Sequence, residues 1–158
     1  MVDVTGLLEQ AGVDFDVLEH DHTERAIDEA AALGIGPEGV AKTLVLVGPS
    51  GNVRAVLAAS ERVDLHKVAG VLGVGGKKVH LANEDDLARS YPDFELGAVP
   101  PFGGQEDPVV MDERLAARDW IVIEAGSHDR SVRLKTTDLV RLTSAQVADI
   151  TKEELTGG

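Results

Sequence analysis

The chain has 158 residues, enough for one domain with a core of its own, and carries a formal net charge of -13. That charge argues against nucleic-acid or anionic-membrane binding through bulk electrostatics, and 3% aromatic residues argue against stacked-base platforms for single strands. Cysteine is absent, which excludes disulfides, thiolate metal sites and cysteine nucleophiles and fits a cytoplasmic protein.

The N-terminus has no basic segment followed by an apolar one, so no signal peptide is read, and no apolar run is long enough to span a membrane. Residues 2–11 are predicted to be a short amphipathic helix, with Val4, Leu7, Leu8 and Ala11 at helical spacing and Gly12 as its stop. A strand follows over 15–19. His20-Asp21-His22 has metal-binding letters but no third ligand, and reads as polar surface. Thr23 is a candidate N-cap for a helix that ends at Gly34. Gly34-Ile35-Gly36-Pro37-Glu38-Gly39 matches G-x-G-x-x-G by letter only. A dinucleotide fingerprint follows a strand and opens a helix, whereas here a helix precedes and a strand follows.

Residues 40–47 are β-branched and aliphatic, predicted as a strand buried on both faces with Lys42 at its entrance. Alone, such a lysine reads as a charged gatekeeper on a sticky strand. The turn at 48–52 and a second strand over 53–59 complete a hairpin. Asp64 caps a third helix. Gly73-Val74-Gly75-Gly76-Lys77-Lys78 fits no phosphate-loop register and reads as a helix stop before a short strand at 79–81. Asn83 and the acids after it start a fourth helix.

The loop over 94–104 has two prolines, three glycines and no periodicity. Stiffness with close backbone approach suits recognition of a small ligand; a loop tucked under the sheet fits equally. Strands are then predicted at 108–112, 120–126, 131–135 and 145–150, with helical turns at 113–118 and 136–142, the latter capped, and a frayed tail over 151–158. The sum is a mixed-sheet α/β domain. No G-x-S-x-G, H-E-x-x-H or paired-carboxylate signature occurs, and Ser127-His128-Asp129 is too compact for a relay triad.

Five segments occur in one order: Thr23 with Ala30-Ala31; Val40-Ala41-Lys42-Thr43-Leu44; Arg62-Val63-Asp64-Leu65; Gly97-Ala98-Val99-Pro100-Pro101-Phe102-Gly103; and Asp138-Leu139-Val140-Arg141-Leu142. Together they resemble the YbaK/ProX family of aminoacyl-tRNA editing domains, which includes free-standing proteins and the domain inserted in bacterial prolyl-tRNA synthetases. The resemblance covers roughly residues 20–150 of a single domain. It implies a compact α/β fold with a mixed, barrel-like sheet ringed by short helices. It also implies a trans-acting hydrolase of mischarged tRNA, with Cys- or Ala-tRNA(Pro) as the expected substrate. The alternative is a binding module of the same fold without turnover.

The family's lysine falls on Lys42, and its G-x-x-x-P loop on Gly97 to Pro101. Lys42 and Gly97 are thereby expected to be catalytic. Ala98, Val99, Pro100, Pro101, Phe102, Gly126, His128 and Asp138 are expected to bind substrate. No metal or other cofactor is implied. The expected partner is the tRNA acceptor end, with a prolyl-tRNA synthetase as a further candidate and no membrane. Arg62, Lys67, Lys77 and Lys78 are the candidate landing patch for tRNA on an otherwise acidic protein.

Overall fold

A computed structural model describes residues 4–23 and 25–153. The hairpin of β2 (Ala41–Gly48) and β3 (Gly51–Ala58) is its spine, closed where Gly48 faces Gly51 across a two-residue turn. Gly51 has φ 125°, a conformation that favours glycine. Around the hairpin lie β4 (His80–Leu81), β5 (Val109–Asp112) and β8 (Gln146–Ala148), in the order β4-β2-β3-β5-β8. β4 and β3 run antiparallel to β2, whereas β5 and β8 add in parallel.

The expected mixed sheet is realised as two sheets. The second is antiparallel and places β7 (Arg130–Lys135) between β1 (Phe15–Glu19) and β6 (Trp120–Glu124). A parallel bridge from Val40 to Val122 stitches the two together just ahead of β2. Six α-helices lie among the described residues: α1 (Val4–Gln10), α2 (Ala26–Leu33), α3 (Leu65–Leu72), α4 (Glu84–Ser90), α5 (Glu113–Ala116) and α6 (Thr136–Thr143). None is long and apolar enough to cross a membrane.

Local chemistry sets several of these boundaries. Asp64 accepts from the His66 and Lys67 N–H groups at the start of α3, and Asn83 and Asp86 form a reciprocal capping box on α4. Gly34 and Gly73 end α2 and α3 in left-handed backbone. Strand alternation sends Ile121, Ile123, Val132 and Leu134 into the main core with Val45, Val56 and Met111.

Some expectations need correction. α2 starts at Ala26, with Arg25 as an N-cap that makes no side-chain bond. Thr23 instead donates its N–H to the His128 carbonyl at 2.9 Å, tying the segment to the β6–β7 turn. α6 has no side-chain cap either: Lys135 is its N-cap, and the Thr136 hydroxyl is buried without a partner among the described residues. The strand expected over 145–150 shrinks to three residues. The tail expected to fray from residue 151 does not do so at Thr151, which is fully buried and pairs with Val63. Residues 154–158 of that tail, and residues 2 and 3 of the first helix, lie outside the described residues. Finally, β2 is not buried on both faces throughout. Lys42, Thr43 and Leu44 are half-buried because they border a cleft.

Candidate functional site

The cleft encloses about 550 Å³. Its walls come from β2, the segment after β3, the start of α2, α4, the loop ahead of β5 and the end of β6. Lys42, Gly97 and Val99 all line it, so residues 55 or more positions apart in the chain meet there. Much of the wall is aliphatic, from Ala26, Val45, Ala59, Leu87 and Val99, and cations stand at Arg25, Lys42 and Arg62.

Lys42 Nζ donates to the Glu61 backbone carbonyl. Burial lowers the Lys42 pKa below the ordinary lysine value, the neighbouring Arg62 lowers it further, and Glu61 opposes both. The lysine is therefore held inward by a backbone acceptor, with donors left for a ligand.

The loop beside it is firmly anchored. Glu95 N–H donates to the Gly126 carbonyl at 3.0 Å, and the Ala98 N–H to the Glu95 carbonyl at 3.0 Å. His128 is buried. Its N–H donates to Glu95 Oε2 at 2.9 Å and its Nε2 lies 2.6 Å from the Leu96 carbonyl. Gly97 turns the loop with φ 81°. Gly126, at φ 95°, lets Phe94 pack so close that a Cβ there would sit 2.8 Å from its ring.

Arg54, only 1% exposed, secures the far half of the loop. It donates to the carbonyls of Pro100 at 2.9 Å and Gln105 at 3.3 Å, to that of Gly103, and to Asp107 Oδ2 at 3.1 Å. Tyr91 donates its hydroxyl to the same carboxylate and lies under the guanidinium, 4.8 Å from ring centroid to Cζ.

The residues expected to bind substrate thus separate. Lys42, Gly97 and Val99 share the cleft. Ala98 and Pro100 are buried behind it. Pro101 and Phe102 border a different cavity of about 610 Å³ with Arg54, Leu142 and Ser144. That cavity is larger, but the buried guanidinium on its wall is already spent on the loop. Gly126 and His128 hold the loop in place instead of lining the cleft. Asp138 does not line the cleft either; it pairs with Arg141 at 3.1 Å on α6. Of the candidate landing patch, Lys67 is committed to Asp149 at 2.9 Å and to the Thr151 carbonyl at 2.7 Å, while Arg62, Lys77 and Lys78 are exposed. His20 is likewise engaged, 2.8 Å from Ser131 Oγ, and no metal-holding group of three or more His, Cys, Asp or Glu occurs among the described residues.

Two residues escaped the sequence reading. Arg54 interrupts the aliphatic strand 53–59, and Glu124 closes the apolar run Ile121-Val122-Ile123. A charge inside or at the end of a buried strand was the available signal in both cases. Glu124 lines the cleft while only 9% exposed, and its Oε2 has no partner among the described residues. Burial first, then the acids Glu29 and Glu95, push its pKa from 4.5 up to about 9.

A stability prediction follows from that proton. The folded state keeps it to about pH 9, whereas the unfolded carboxyl loses it near 4.5. Folding takes up a proton in between, so this group's contribution to stability falls as pH rises through that window. Burial raises the Glu29 pKa too and gives the same sign. Glu124→Gln should therefore melt above the wild type by a margin that grows from pH 5 to pH 8.5. Parallel melting curves at the two pH values check it, and a margin independent of pH would contradict the assignment.

Three comparisons bear on the chain. Residues 20–142 match the family model of the aminoacyl-tRNA editing domain. A protein of Escherichia coli K12, the multifunctional Ser/Thr-tRNA deacylase ProXp-y, is 32% identical over 149 residues, covering 90% of this chain and 87% of that protein. The same deacylase from Escherichia coli O157:H7 matches to the same extent. Among solved structures, one described as a candidate trans-editing enzyme for prolyl-tRNA synthetase superposes with a TM-score of 0.84 at 29% identity, covering 95% of each chain.

Proposed function

This chain belongs to the aminoacyl-tRNA editing domain family, the YbaK/ProX deacylases, and on that premise we propose that it acts in trans, hydrolysing the ester between a small wrong amino acid and tRNA at the Lys42–Gly97 cleft. The observation that carries the site is the meeting of Lys42 with the Gly97 loop in one partly enclosed, largely aliphatic space. Serine and threonine are the first candidates, from the name of the Escherichia coli relative. Alanine or cysteine on tRNA(Pro), the substrates implied by the sequence resemblance, come second.

The reaction needs water to add to the ester carbon and the ribose oxygen to leave with a proton. No protein nucleophile is required if the free hydroxyl of the terminal ribose helps to position that water. Lys42 supplies a fixed cation for a phosphate or ribose oxygen of the terminal nucleotide. The Ala98 N–H is already committed to Glu95. Oxyanion donation from the loop therefore rests on the Gly97 and Val99 amides. Cleft size excludes larger side chains, as a second sieve does.

The test is deacylation of tRNAs mischarged with serine, threonine, alanine or cysteine, each compared with buffer. Cleavage of at least one ester well above buffer is expected, and buffer-level decay of all four would overturn the reading. Tight binding without turnover would move the chain to the binding-module alternative.

Electrostatics adds a further prediction. Arg62, Lys77 and Lys78 are the members of the candidate landing patch that stay exposed to meet the acceptor end. Charge reversal of Lys77 and Lys78 together should weaken tRNA binding about tenfold at low salt and flatten its salt dependence. Binding titrations at two salt concentrations read both. Unchanged affinity at low salt would remove these lysines from the interface.

A further inference from the structure

We propose that Glu124 is the specificity-determining residue of the cleft, and that its carboxyl pairs with a hydroxyl on the acyl side chain so that serine and threonine esters are preferred. This rests on the editing function proposed above and names which acyl group that same site selects.

Placement comes first. Glu124 ends β6 opposite Ser131, and strand alternation puts it on the face shared by Val122, not the core face of Ile121 and Ile123. α2 covers that face, with Ala26 and Ala30 packed against Val122. The largely buried Glu124 thus stands on the wall of the cleft, with Ala26, Val45, Ala59 and Val99 supplying aliphatic surface around the same space. Its Oε2 is fully buried and unpartnered among the described residues. Buried polar atoms are almost always paired, so a carboxyl that lines the cleft while one of its oxygens stays buried and unpartnered still has a hydrogen bond to give a ligand group there.

Chemistry narrows the ligand. The charged groups that bear on Glu124 are both acids, Glu29 from α2 and Glu95 from the loop. Burial first, and these two acids after it, disfavour the ionised form, so the carboxyl keeps its proton and offers one O–H donor and one carbonyl acceptor. A side-chain hydroxyl offers the same pair in return. Alanine or valine fills the space but leaves the carboxyl unsatisfied, the situation in which a hydrogen-bonding site discriminates most strongly. The α-ammonium group is a poorer candidate. It is common to every aminoacyl ester, so recognising it gives no selectivity, and it would draw Glu124 into ionising beside two other acids.

The experiment measures kcat/KM for four esters on one tRNA body: serine against alanine and threonine against its isostere valine. Wild type, Glu124→Met and Glu124→Gln are compared. Wild type should favour each hydroxyl ester by roughly 100-fold, the upper end of what one buried polar group left unsatisfied costs. Glu124→Met, similar in size and apolar, should bring both ratios to within about threefold by losing the hydroxyl esters. Glu124→Gln keeps a donor and an acceptor and should retain most of the preference.

Equal ratios in wild type and Glu124→Met would overturn the inference, as would a wild type that cleaves all four esters without preference. A uniform loss on all four esters in both variants would overturn it too, pointing to the ammonium group instead. Failure of the wild type on these four esters is a separate result that overturns this inference; the editing function falls with it only if the cysteine ester also decays at the buffer rate.

Discussion

Lys42→Met should lower kcat/KM for deacylation by two to three orders of magnitude, about 3–4 kcal/mol of transition-state stabilisation. Methionine keeps the length and packing of the side chain and removes its charge, so the melting temperature should change little. The effect should be large because the cation is half-buried, where its interaction with a negative ligand is poorly screened. It is also pre-positioned by the Glu61 carbonyl, which limits the entropy lost on binding. The lowered pKa adds a signature. The lysine gives up its proton at a lower pH than an ordinary lysine, so activity should fall early on the alkaline side. Lys42→Arg cannot deprotonate in that range and should move this limb upward. A wild-type rate in Lys42→Met would return the residue to the gatekeeper role that its strand alone suggests.

Arg54→Met should cost about 3–5 kcal/mol of stability, the range for removing one partner of a buried ion pair. For a chain of this size that is a fall of roughly 10 °C in melting temperature. The loss reaches beyond one pair. The Asp107 carboxylate loses its cation, and the carbonyls of Pro100, Gly103 and Gln105 lose their donor together. Arg54→Lys should recover little of this, since an ammonium cannot reproduce a planar fork directed at four acceptors. The loop also carries Gly97 and Val99 into the cleft. Deacylation should therefore weaken even below the melting temperature. Thermal melts and rates at 20 °C separate the two effects, and a melting temperature within a degree or two of wild type would refute the stapling role.

Much of this architecture was legible because the relevant forces are local. The β2–β3 hairpin followed from two aliphatic runs around a Pro-Ser-Gly turn, and α3 and α4 from Asp64 and Asn83 beside their first turns. Where a tertiary partner competed, the local reading failed. Thr23 has good capping chemistry, yet its backbone is drawn to His128, about a hundred residues away. The loop over 94–104 read equally as a ligand grip or as packing, and the structure divides it between the two. Gly97 and Val99 face the cleft, whereas Ala98 and Pro100 are buried behind it. Glu124 showed in the sequence only as a charge at the end of an apolar strand, and its role stayed hidden for another reason. A strand's register gives the face a residue occupies, but not that the face ends in a cleft, nor that its neighbours Glu29 and Glu95 are acids.

The location of the site can be measured without turnover. A stable amide analogue, seryl-3′-amino-3′-deoxyadenosine, titrated into the 15N-labelled protein reports its contacts through backbone amide shifts. Binding at the cleft should perturb Lys42, Thr43, Gly97 and Val99, together with Glu124 on its wall, and leave Leu142 and Ser144 unmoved. Shifts confined to the second cavity, at Phe102, Gln105, Leu142 and Ser144, would contradict the assignment of the aminoacyl end to the Lys42–Gly97 cleft.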